Sequence, residues 1–301
     1  MTADRPAPPR AAGGDAEPWT VGRLLTVTTE WLIGRGSDSA RLDAEVLLAH
    51  VRGCERIALY TAFDTPVADA ERARFRELVR RRGEGEPVAY LVGQREFFSL
   101  PFVVTGAVLV PRPETEGLVV RTLDLLKTAT APRVIDVGTG SGAIAVTLAR
   151  RLPRATLVAT DISPEALAVA RENAARHGVA ERIGFVACDL VAAPEAAGPW
   201  DVIVSNPPYV REDEYESLPR DVRLHEPRAA LVSGPTGVEV VTRLAAAAAD
   251  SLAPGGWLLI EIGPAVAASA EAVLDAQPGL VREATLPDLA NLPRILQARR
   301  A

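Results

Sequence analysis

The sequence predicts an α/β fold, a doubly wound and mostly parallel sheet preceded by a small helical domain. From Arg133 onward, short apolar runs alternate with stretches of helical length. These runs consist almost entirely of apolar residues, which is typical of parallel strands that are covered on both faces. Before Gly85 the apolar residues recur with helical spacing instead, so no strand is predicted there.

Composition restricts the class of protein. The chain has 301 residues, 48% of them hydrophobic and 24% charged, which suits a globular protein of two domains. A net charge of −6 argues against stable nucleic-acid binding through phosphates. No unbroken apolar run of about 18 residues predicts a membrane span, and no secretory signal pattern opens the chain. We therefore expect a cytoplasmic protein without membrane contact.

Three further expectations concern the ends and the thiols of the chain. Residues 1–17 are rich in Pro, Ala and Gly and are predicted to be a disordered tail. Cys54 and Cys188 have no partners at metal-ligand spacing, so buried, inert thiols are expected. No metal site is predicted.

The helical domain is predicted over residues 18–88. Apolar faces recur in Val21–Val27 and Leu42–Val51, and Asp69–Arg82 reads as a further amphipathic helix. Thr20 is a plausible N-cap for the first of these helices. The function of this domain is not readable from its own residues.

Residues 89–130 are predicted to be a β-hairpin and a connector. Prolines in Pro111–Glu116 stop the last β-rich run, and a helix is predicted over Gly117–Leu126. The β-rich runs are Phe97-Phe98, Phe102–Val104 and Val108–Val110.

The main domain is predicted over residues 131–301. Its two closing strands are separated by a short turn, which predicts one antiparallel pair. Ligands of such sheets bind beyond the carboxyl ends of the strands. The predicted strands are Val134–Val137, Thr156–Thr160, Ile183–Ala187, Val202–Ser205, Trp257–Ile262, Leu280–Leu286 and Pro293–Arg299. The predicted helices are Ala143–Arg151, Pro164–His177, Val238–Ser251 and Ala265–Ala276.

A glycine-rich loop follows the first of these strands and opens the next helix. Glycines there let the backbone turn tightly and approach a ligand without a Cβ clash. Asp161 ends the second strand 19 residues after Gly142, where a carboxylate can accept hydrogen bonds from a ribose. This spacing fits both NAD and S-adenosylmethionine. The loop residues are Gly138, Thr139, Gly140, Ser141 and Gly142.

Three other residues favour S-adenosylmethionine. Asp189 ends the third strand and can accept from an adenine amine, while Leu190 can cover the ring. Asp136 stands where a carboxylate can meet the cationic methionine moiety. A nicotinamide enzyme needs an acid or base at the hydride site, but none of the three histidines has an evident partner.

Asn206-Pro207-Pro208-Tyr209 ends the strand at Val202–Ser205. The prolines stop the strand and stiffen the turn that follows it. Asn206 offers an amide acceptor and donor, and Tyr209 offers a flat ring with a polar tip. The turn can therefore grip a planar group that carries an NH2.

With the glycine loop, Asp161, Asp189 and this turn in order, the C-terminal domain resembles a class I S-adenosylmethionine-dependent methyltransferase that methylates amino groups. Further motifs resemble the HemK/PrmC family of protein-(glutamine-N5) methyltransferases, over roughly Thr20 to Arg299. These motifs are Tyr90–Gly93 with Glu96-Phe97, Pro111–Glu116, Glu226–Leu231 and Arg294.

The resemblance implies a fold, a cofactor and a substrate. S-adenosylmethionine is the implied methyl donor, and the implied target is the glutamine of a Gly-Gly-Gln loop in a peptide chain release factor. The helical domain is implied to recognise that protein. Two positions depart from the family pattern: no Gln stands three residues after Gly263, and Asn291 replaces a usual Gly.

The same resemblance assigns site residues. The implied cofactor-binding residues are Asp136, Gly138, Thr139, Gly140, Ser141, Gly142, Asp161, Asp189, Leu190 and Asn206. The implied substrate-binding residues are Phe97, Asn206, Pro207, Pro208 and Tyr209. Catalytic roles are implied for Asn206, Pro207 and Tyr209.

Three alternatives remain open. A nucleic-acid methyltransferase of the adenine-N6 type would stack a flipped base on Tyr209, although the net charge is unfavourable. A paralogous enzyme could methylate a small molecule. A scaffold that binds the cofactor without turnover is disfavoured by the intact turn.

Overall fold

The structure, a computed structural model, describes residues 18–301, which form two compact units: residues 18–84 and residues 85–301. The tail predicted over residues 1–17 lies outside this range. Among the residues described, no helix is both long and apolar enough to cross a bilayer.

The first unit is helical, as predicted. Its helices are α1 (Val21–Ile33), α2 (Ala40–Arg52), α3 (Ala58–Thr61) and α4 (Asp69–Gly83). Thr20 caps α1 by accepting a hydrogen bond from the Arg23 N–H at 3.2 Å. The buried Asp43 carboxylate on α2 pairs with Arg82 on α4 at 2.7 Å. Val27 and Leu42, predicted on the apolar faces, are exposed.

The second unit begins with the predicted hairpin and connector. Its first elements are α5 (Val88–Val92), β1 (Gln94–Phe97), β2 (Leu100–Val103) and α6 (Glu116–Leu125). The turn residues Phe98 and Ser99 have φ values of +53° and +58°, as the tight two-residue turns of hairpins require. The β-rich run Val108–Val110 is wrongly predicted, because it pairs with no strand. There, the Tyr90 hydroxyl donates to the Val108 carbonyl at 2.5 Å.

The remaining elements alternate as predicted, except that residues 210–234 contain a short α-helix and two short strands that the sequence pattern did not predict. They are β3 (Arg133–Val137), α7 (Ala143–Arg151), β4 (Thr156–Asp161), α8 (Pro164–Arg176), β5 (Ile183–Ala187), β6 (Trp200–Ser205), β7 (Val210–Arg211), α9 (Arg220–His225), β8 (Val232–Gly234), α10 (Glu239–Ser251), β9 (Leu252–Glu261), α11 (Ala267–Asp275), β10 (Leu280–Arg282), β11 (Leu286–Pro287) and β12 (Pro293–Arg300). The single strand predicted over Leu280–Leu286 is two short strands, each paired with β12.

The main sheet has the strand order β10-β12-β9-β6-β3-β4-β5. The five strands from β9 to β5 are parallel, and β12 runs antiparallel to β9 and β10. This confirms the doubly wound, mostly parallel sheet and the antiparallel pair at its end. One buried cluster includes residues of α6, α7 and α8, and a second includes residues of α10 and α11.

The register of the parallel strands positions the site. Val137 on β3 pairs with Thr160 on β4 and with Ser205 on β6, and Ser205 pairs with Ile260 on β9. The next residues along these strands are Gly138, Asp161, Asn206 and Glu261. Because the strands are parallel, all four residues emerge at the same edge of the sheet.

Asn173 on α8 links the hairpin to the glycine loop. Its buried side chain accepts from the Val103 N–H at 2.7 Å and donates to the carbonyls of Val103 and Ser141, both at 2.9 Å. A buried amide with its hydrogen bonds satisfied stabilises both segments that it joins.

We expect Asn173→Ala to lower the free energy of unfolding by about 1–3 kcal/mol, because the half-buried backbone groups of Val103 and the buried carbonyl of Ser141 lose their partner. Urea denaturation measures this change. Glu172→Ala, at an exposed position of the same helix, is the matched control and should be nearly neutral. Equal losses in the two variants would contradict the assignment.

Candidate functional site

A cavity of about 610 Å³ opens at the carboxyl edge of the parallel strands, within the second unit. This volume is in the usual range for pockets that bind small molecules. Most of the predicted site residues line it: Gly138, Thr139, Gly140, Ser141, Asp161, Asp189, Leu190, Asn206, Pro207 and Pro208.

The glycine loop needs its glycines for backbone conformation. Gly138, Gly140 and Gly142 have φ values of +71°, +55° and +80°, which residues with a Cβ rarely adopt. A Cβ on Gly142, which does not line the cavity, would also lie 3.2 Å from Ala170 on α8. The loop therefore presents backbone to the cavity at the start of α7.

Asp136 supports this loop from beneath and does not line the cavity. Its fully buried carboxylate accepts from the Thr139 hydroxyl at 2.6 Å and from the Ala145 N–H at 3.1 Å. The other carboxylate oxygen has no hydrogen-bond partner among the residues described. Burial raises the pKa of Asp136 to about 7. Asp136 therefore contacts the loop from within the protein, and the predicted meeting of its carboxylate with a bound cofactor stays a prediction.

Asp161 connects the first two strand ends. One oxygen of its carboxylate accepts from the Gly140 N–H at 2.9 Å, and the other accepts from the Ser163 N–H at 2.9 Å. Each oxygen keeps a further lone pair, and the residue lines the cavity. A ligand hydroxyl can therefore bind there without breaking the loop contacts.

The third strand end closes the other side of the cavity. The Asp189 carboxylate is paired with Arg243 of α10, a contact that the sequence pattern did not predict. Leu190 has a φ of +53°, which is uncommon for a bulky residue, and such strain is typical of ligand sites. Cys188, predicted to be buried, is half-buried and lines the cavity, and burial raises the pKa of its thiol.

Asn206, Pro207 and Pro208 form part of the cavity wall after β6. The Asn206 side-chain NH2 donates to the Thr115 hydroxyl oxygen at 3.1 Å. Thr115 precedes α6, is buried and was not predicted as a site residue.

The structure does not bring Tyr209 and Phe97 into the cavity wall. The Tyr209 ring packs on Gly263 so closely that a Cβ there would lie 3.0 Å from it, and burial raises the pKa of Tyr209. The Phe97 ring is 1% exposed and packs edge-on against Phe102 at 6.0 Å. Both rings pack against other residues of the protein, and their predicted contacts with the substrate stay predictions.

An ion pair that the sequence pattern did not predict holds the loop before α6. Arg112 lines the cavity and pairs with the buried Glu226 at 2.5 Å, and Glu226 also accepts from the Val110 N–H at 3.2 Å. Burial raises the pKa of Glu226 and Arg112 opposes that shift. Arg112 belongs to the motif at Pro111–Glu116, and Glu226 belongs to the motif at Glu226–Leu231. These two motifs were the sequence signal that could have indicated the contact.

In the described part of the chain, no group of three or more His, Cys, Asp or Glu side chains could hold a metal ion. The cavity offers a backbone cradle, carboxylates at two strand ends and an amide in a rigid turn. This arrangement suits a nucleoside-like ligand beside a second group that carries N–H donors.

Known proteins match both units. The family model for the PrmC N-terminal domain matches residues 23–93, and the one for the methyltransferase small domain matches residues 118–234. A release factor glutamine methyltransferase of Rhodopirellula baltica is 47% identical over 288 residues, 94% of this chain and 97% of that protein. One of Chlorobaculum tepidum is 44% identical, over 81% of this chain and 85% of its own.

A solved structure shows the same fold at low sequence identity. The hMettl16 catalytic domain in complex with the MAT2A 3'UTR hairpin 6 matches with a TM-score of 0.54 and 17% identity. The match covers 75% of this chain and 82% of that one. It concerns the fold alone.

The buried Asp136 predicts a pH dependence of stability. Its pKa rises from about 4 in the unfolded chain to about 7 in the folded protein, so the folded protein binds the extra proton. The stabilisation is complete below about pH 4 and is lost as the pH rises through 7. We expect Asp136→Asn to remove this contribution, so that its stability relative to wild type increases from pH 5 to pH 8, as urea denaturation can measure at about these values.

Asp250→Asn, at an exposed position of α10, is the control for this series. Its difference from wild type should stay constant with pH. A difference for Asp136→Asn that is equally constant would show that the Asp136 carboxyl group does not titrate near pH 7.

Proposed function

We propose that this chain, which belongs to the family of release factor glutamine methyltransferases, methylates the side-chain amide nitrogen of the Gly-Gly-Gln glutamine in a peptide chain release factor. The observation that carries the proposal is 47% identity to such an enzyme over 94% of the chain, both units included. The topology and the match to a solved catalytic domain agree with the predicted class I methyltransferase fold.

S-adenosylmethionine is the methyl donor of this reaction and supplies an electrophilic methyl group when bound. The cavity fits it, because three glycines with positive φ leave room for backbone contact beside Asp161. We propose that Asp161 accepts from the ribose hydroxyls, that Asp189 accepts from the adenine amine and that Leu190 covers the ring. Asp136 would act indirectly, by holding the loop from beneath through Thr139.

The proposed reaction depends on the orientation of the substrate amide and requires no general base beforehand. An amide nitrogen is a weak nucleophile because its lone pair is delocalised. We propose that the Asn206 side-chain oxygen and the Pro207 backbone carbonyl accept its two N–H groups and direct the lone pair toward the methyl group. Such placement supplies near-attack geometry and acceptors for the positive charge that develops.

Other predicted residues have supporting roles in this proposal. Pro208 keeps the turn rigid, and Tyr209 braces it by packing on Gly263. Phe97 supports the hairpin through Phe102. We also propose that the helical domain over residues 18–88 recognises the release factor, and that the protein acts in the cytoplasm, where release factors work.

A transfer assay tests the substrate. We expect label from methyl-labelled S-adenosylmethionine to appear on a release factor but not on its glutamine-to-alanine variant, DNA or RNA, because the relatives are named for glutamine methylation and a net charge of −6 disfavours nucleic-acid phosphates. Label on RNA or DNA would favour a nucleic-acid enzyme instead. Label on no macromolecule would favour a small-molecule enzyme or a scaffold.

We expect Asn206→Ala to reduce kcat by about 10²–10³, because it removes one acceptor aimed at the developing charge. Calorimetry should show cofactor affinity within a few-fold of wild type. The matched control is Asn291→Gly, outside the cavity, where a φ of +64° suits glycine and activity should be unchanged. Near-normal turnover in Asn206→Ala would contradict the proposed role of Asn206 as an acceptor for the substrate amide.

A further inference from the structure

Arg112 lies on the cavity wall and has a buried acidic partner. Its guanidinium pairs with the Glu226 carboxylate at 2.5 Å, and the Glu226 side chain is only 2% exposed. The second carboxylate oxygen of Glu226 accepts from the Val110 N–H at 3.2 Å. Glu226 therefore holds both the arginine side chain and the backbone two residues before it.

The backbone that carries Arg112 is restricted on both sides. Pro111 and Pro113 flank the arginine, and their rings fix their own φ angles. Upstream, the Tyr90 hydroxyl donates to the Val108 carbonyl at 2.5 Å. Because the guanidinium is held in place before any ligand arrives, a contact with it costs little conformational entropy.

The Arg112 side chain keeps donors for a further partner. A guanidinium carries five N–H groups in a planar fork. Among the residues that the structure describes, this side chain donates to Glu226 alone. It is 33% exposed and faces no other acceptor there. The remaining N–H groups are therefore available to a ligand in the cavity.

Arg112 is joined to the turn that is proposed to hold the substrate amide. The Thr115 N–H donates to the Arg112 carbonyl at 3.2 Å, and the Thr115 hydroxyl oxygen accepts from the Asn206 NH2 at 3.1 Å. Arg112, Thr115 and Asn206 all line the cavity. One residue, Thr115, thus links the arginine to the side chain proposed to accept the glutamine amide.

The charge of the ion pair favours one kind of acceptor over another. The cavity would bring two kinds of oxygen near Arg112: the methionine carboxylate of the cofactor and a main-chain carbonyl of the substrate. The Glu226 carboxylate already balances the charge of Arg112, so a second carboxylate would leave a net negative charge in a largely buried group. A carbonyl oxygen adds no charge and still accepts N–H donors.

We propose that Arg112 is a substrate-binding residue that donates its remaining N–H groups to a main-chain carbonyl oxygen of the Gly-Gly-Gln loop. This inference rests on the proposed function and adds a backbone contact to it. Glycines leave their carbonyl groups open to approach, because they have no Cβ. Arg112 then fixes the base of the glutamine side chain, while Asn206 and Pro207 fix its amide end, which holds the nitrogen near the methyl group.

Steady-state kinetics with a release factor test Arg112→Lys against wild type. Lysine keeps a positive charge opposite Glu226, so the buried carboxylate stays paired, but it lacks the planar fork that serves two acceptors at once. We expect kcat/KM for the release factor to fall about 10–100-fold, as loss of a hydrogen bond from a charged group commonly gives. The loss should lie mainly in KM, because the contact is made before transfer.

Arg154→Lys is the matched control, at an exposed position before β4. Its kcat and KM should equal those of wild type. Circular dichroism verifies that both variants are folded. An Arg112→Lys enzyme with wild-type kcat/KM would overturn the proposal.

Calorimetry with S-adenosylhomocysteine separates substrate binding from two other roles. We expect its affinity for Arg112→Lys to stay within a few-fold of wild type. A lower affinity with an unchanged KM for the release factor would overturn the proposal and assign Arg112 to the methionine carboxylate. Parallel losses of both affinities and of Tm would overturn it in favour of a structural role.

A change in the substrate tests the contact itself. Semisynthetic release factors carry a thioamide in place of one main-chain carbonyl of the Gly-Gly-Gln loop at a time, because sulfur is a weaker acceptor than oxygen. We expect one position to lower kcat/KM in wild type and to cost much less in Arg112→Lys, as coupled partners do in a double-mutant cycle. Equal costs in both enzymes at every position would overturn the proposal.

The same measurements distinguish this inference from the proposed function. Wild-type methylation of the release factor, together with an unaffected Arg112→Lys enzyme, would reject the Arg112 contact alone. A wild-type enzyme that leaves the release factor unmethylated would reject both.

Discussion

The parallel register of β9, β6, β3 and β4 is the constraint on which the site depends. Because Val137, Thr160, Ser205 and Ile260 lie side by side, the residues that follow them leave the sheet at one edge. A one-residue slip in any of these strands would move its side chains to the opposite face of the sheet and misplace its functional residue. The hydrophobic pattern that stabilises the sheet therefore also sets the geometry of the cavity.

Two carboxyl groups are buried at this edge, and their burial is unfavourable for stability. Asp136 holds the glycine loop through Thr139, Glu261 ends β9, and burial raises the pKa of both carboxyl groups to about 7. Each has an oxygen without a partner among the described residues. Buried, incompletely satisfied carboxyl groups are costly, and proteins keep them mainly where a function needs them. In the proposed mechanism, Asp136 holds the loop that lies beside the cofactor.

Local patterns were sufficient to predict much of the fold. Helix α7 and strand β5 lie at the predicted residues, because Gly142 and Pro153 bound the helix and a short apolar run marks the strand. The prediction failed at Val108–Val110, since β-rich residues in a loop can satisfy their burial without a neighbouring strand. The cavity residues followed from their positions at strand ends, which a sequence displays directly.

Contacts between distant residues could not be predicted in this way. Asn206 meets Thr115 across 91 positions, and Glu226 meets Arg112 across 114. Neither spacing has a periodic signature, because each contact depends on how the connector packs on finished strands. The contact between the Tyr209 ring and Gly263 could not be predicted for the same reason.

The central claim is that Asn206 presents its carbonyl oxygen, and not its NH2, to the substrate amide. Neutron diffraction from crystals of the protein with a cofactor product and a Gly-Gly-Gln peptide would observe this directly, because it distinguishes oxygen from a deuterated nitrogen. The account predicts deuterium on the Asn206 nitrogen facing Thr115, and the glutamine amide donating to the Asn206 oxygen. A deuterated Asn206 side-chain nitrogen facing the glutamine would contradict it.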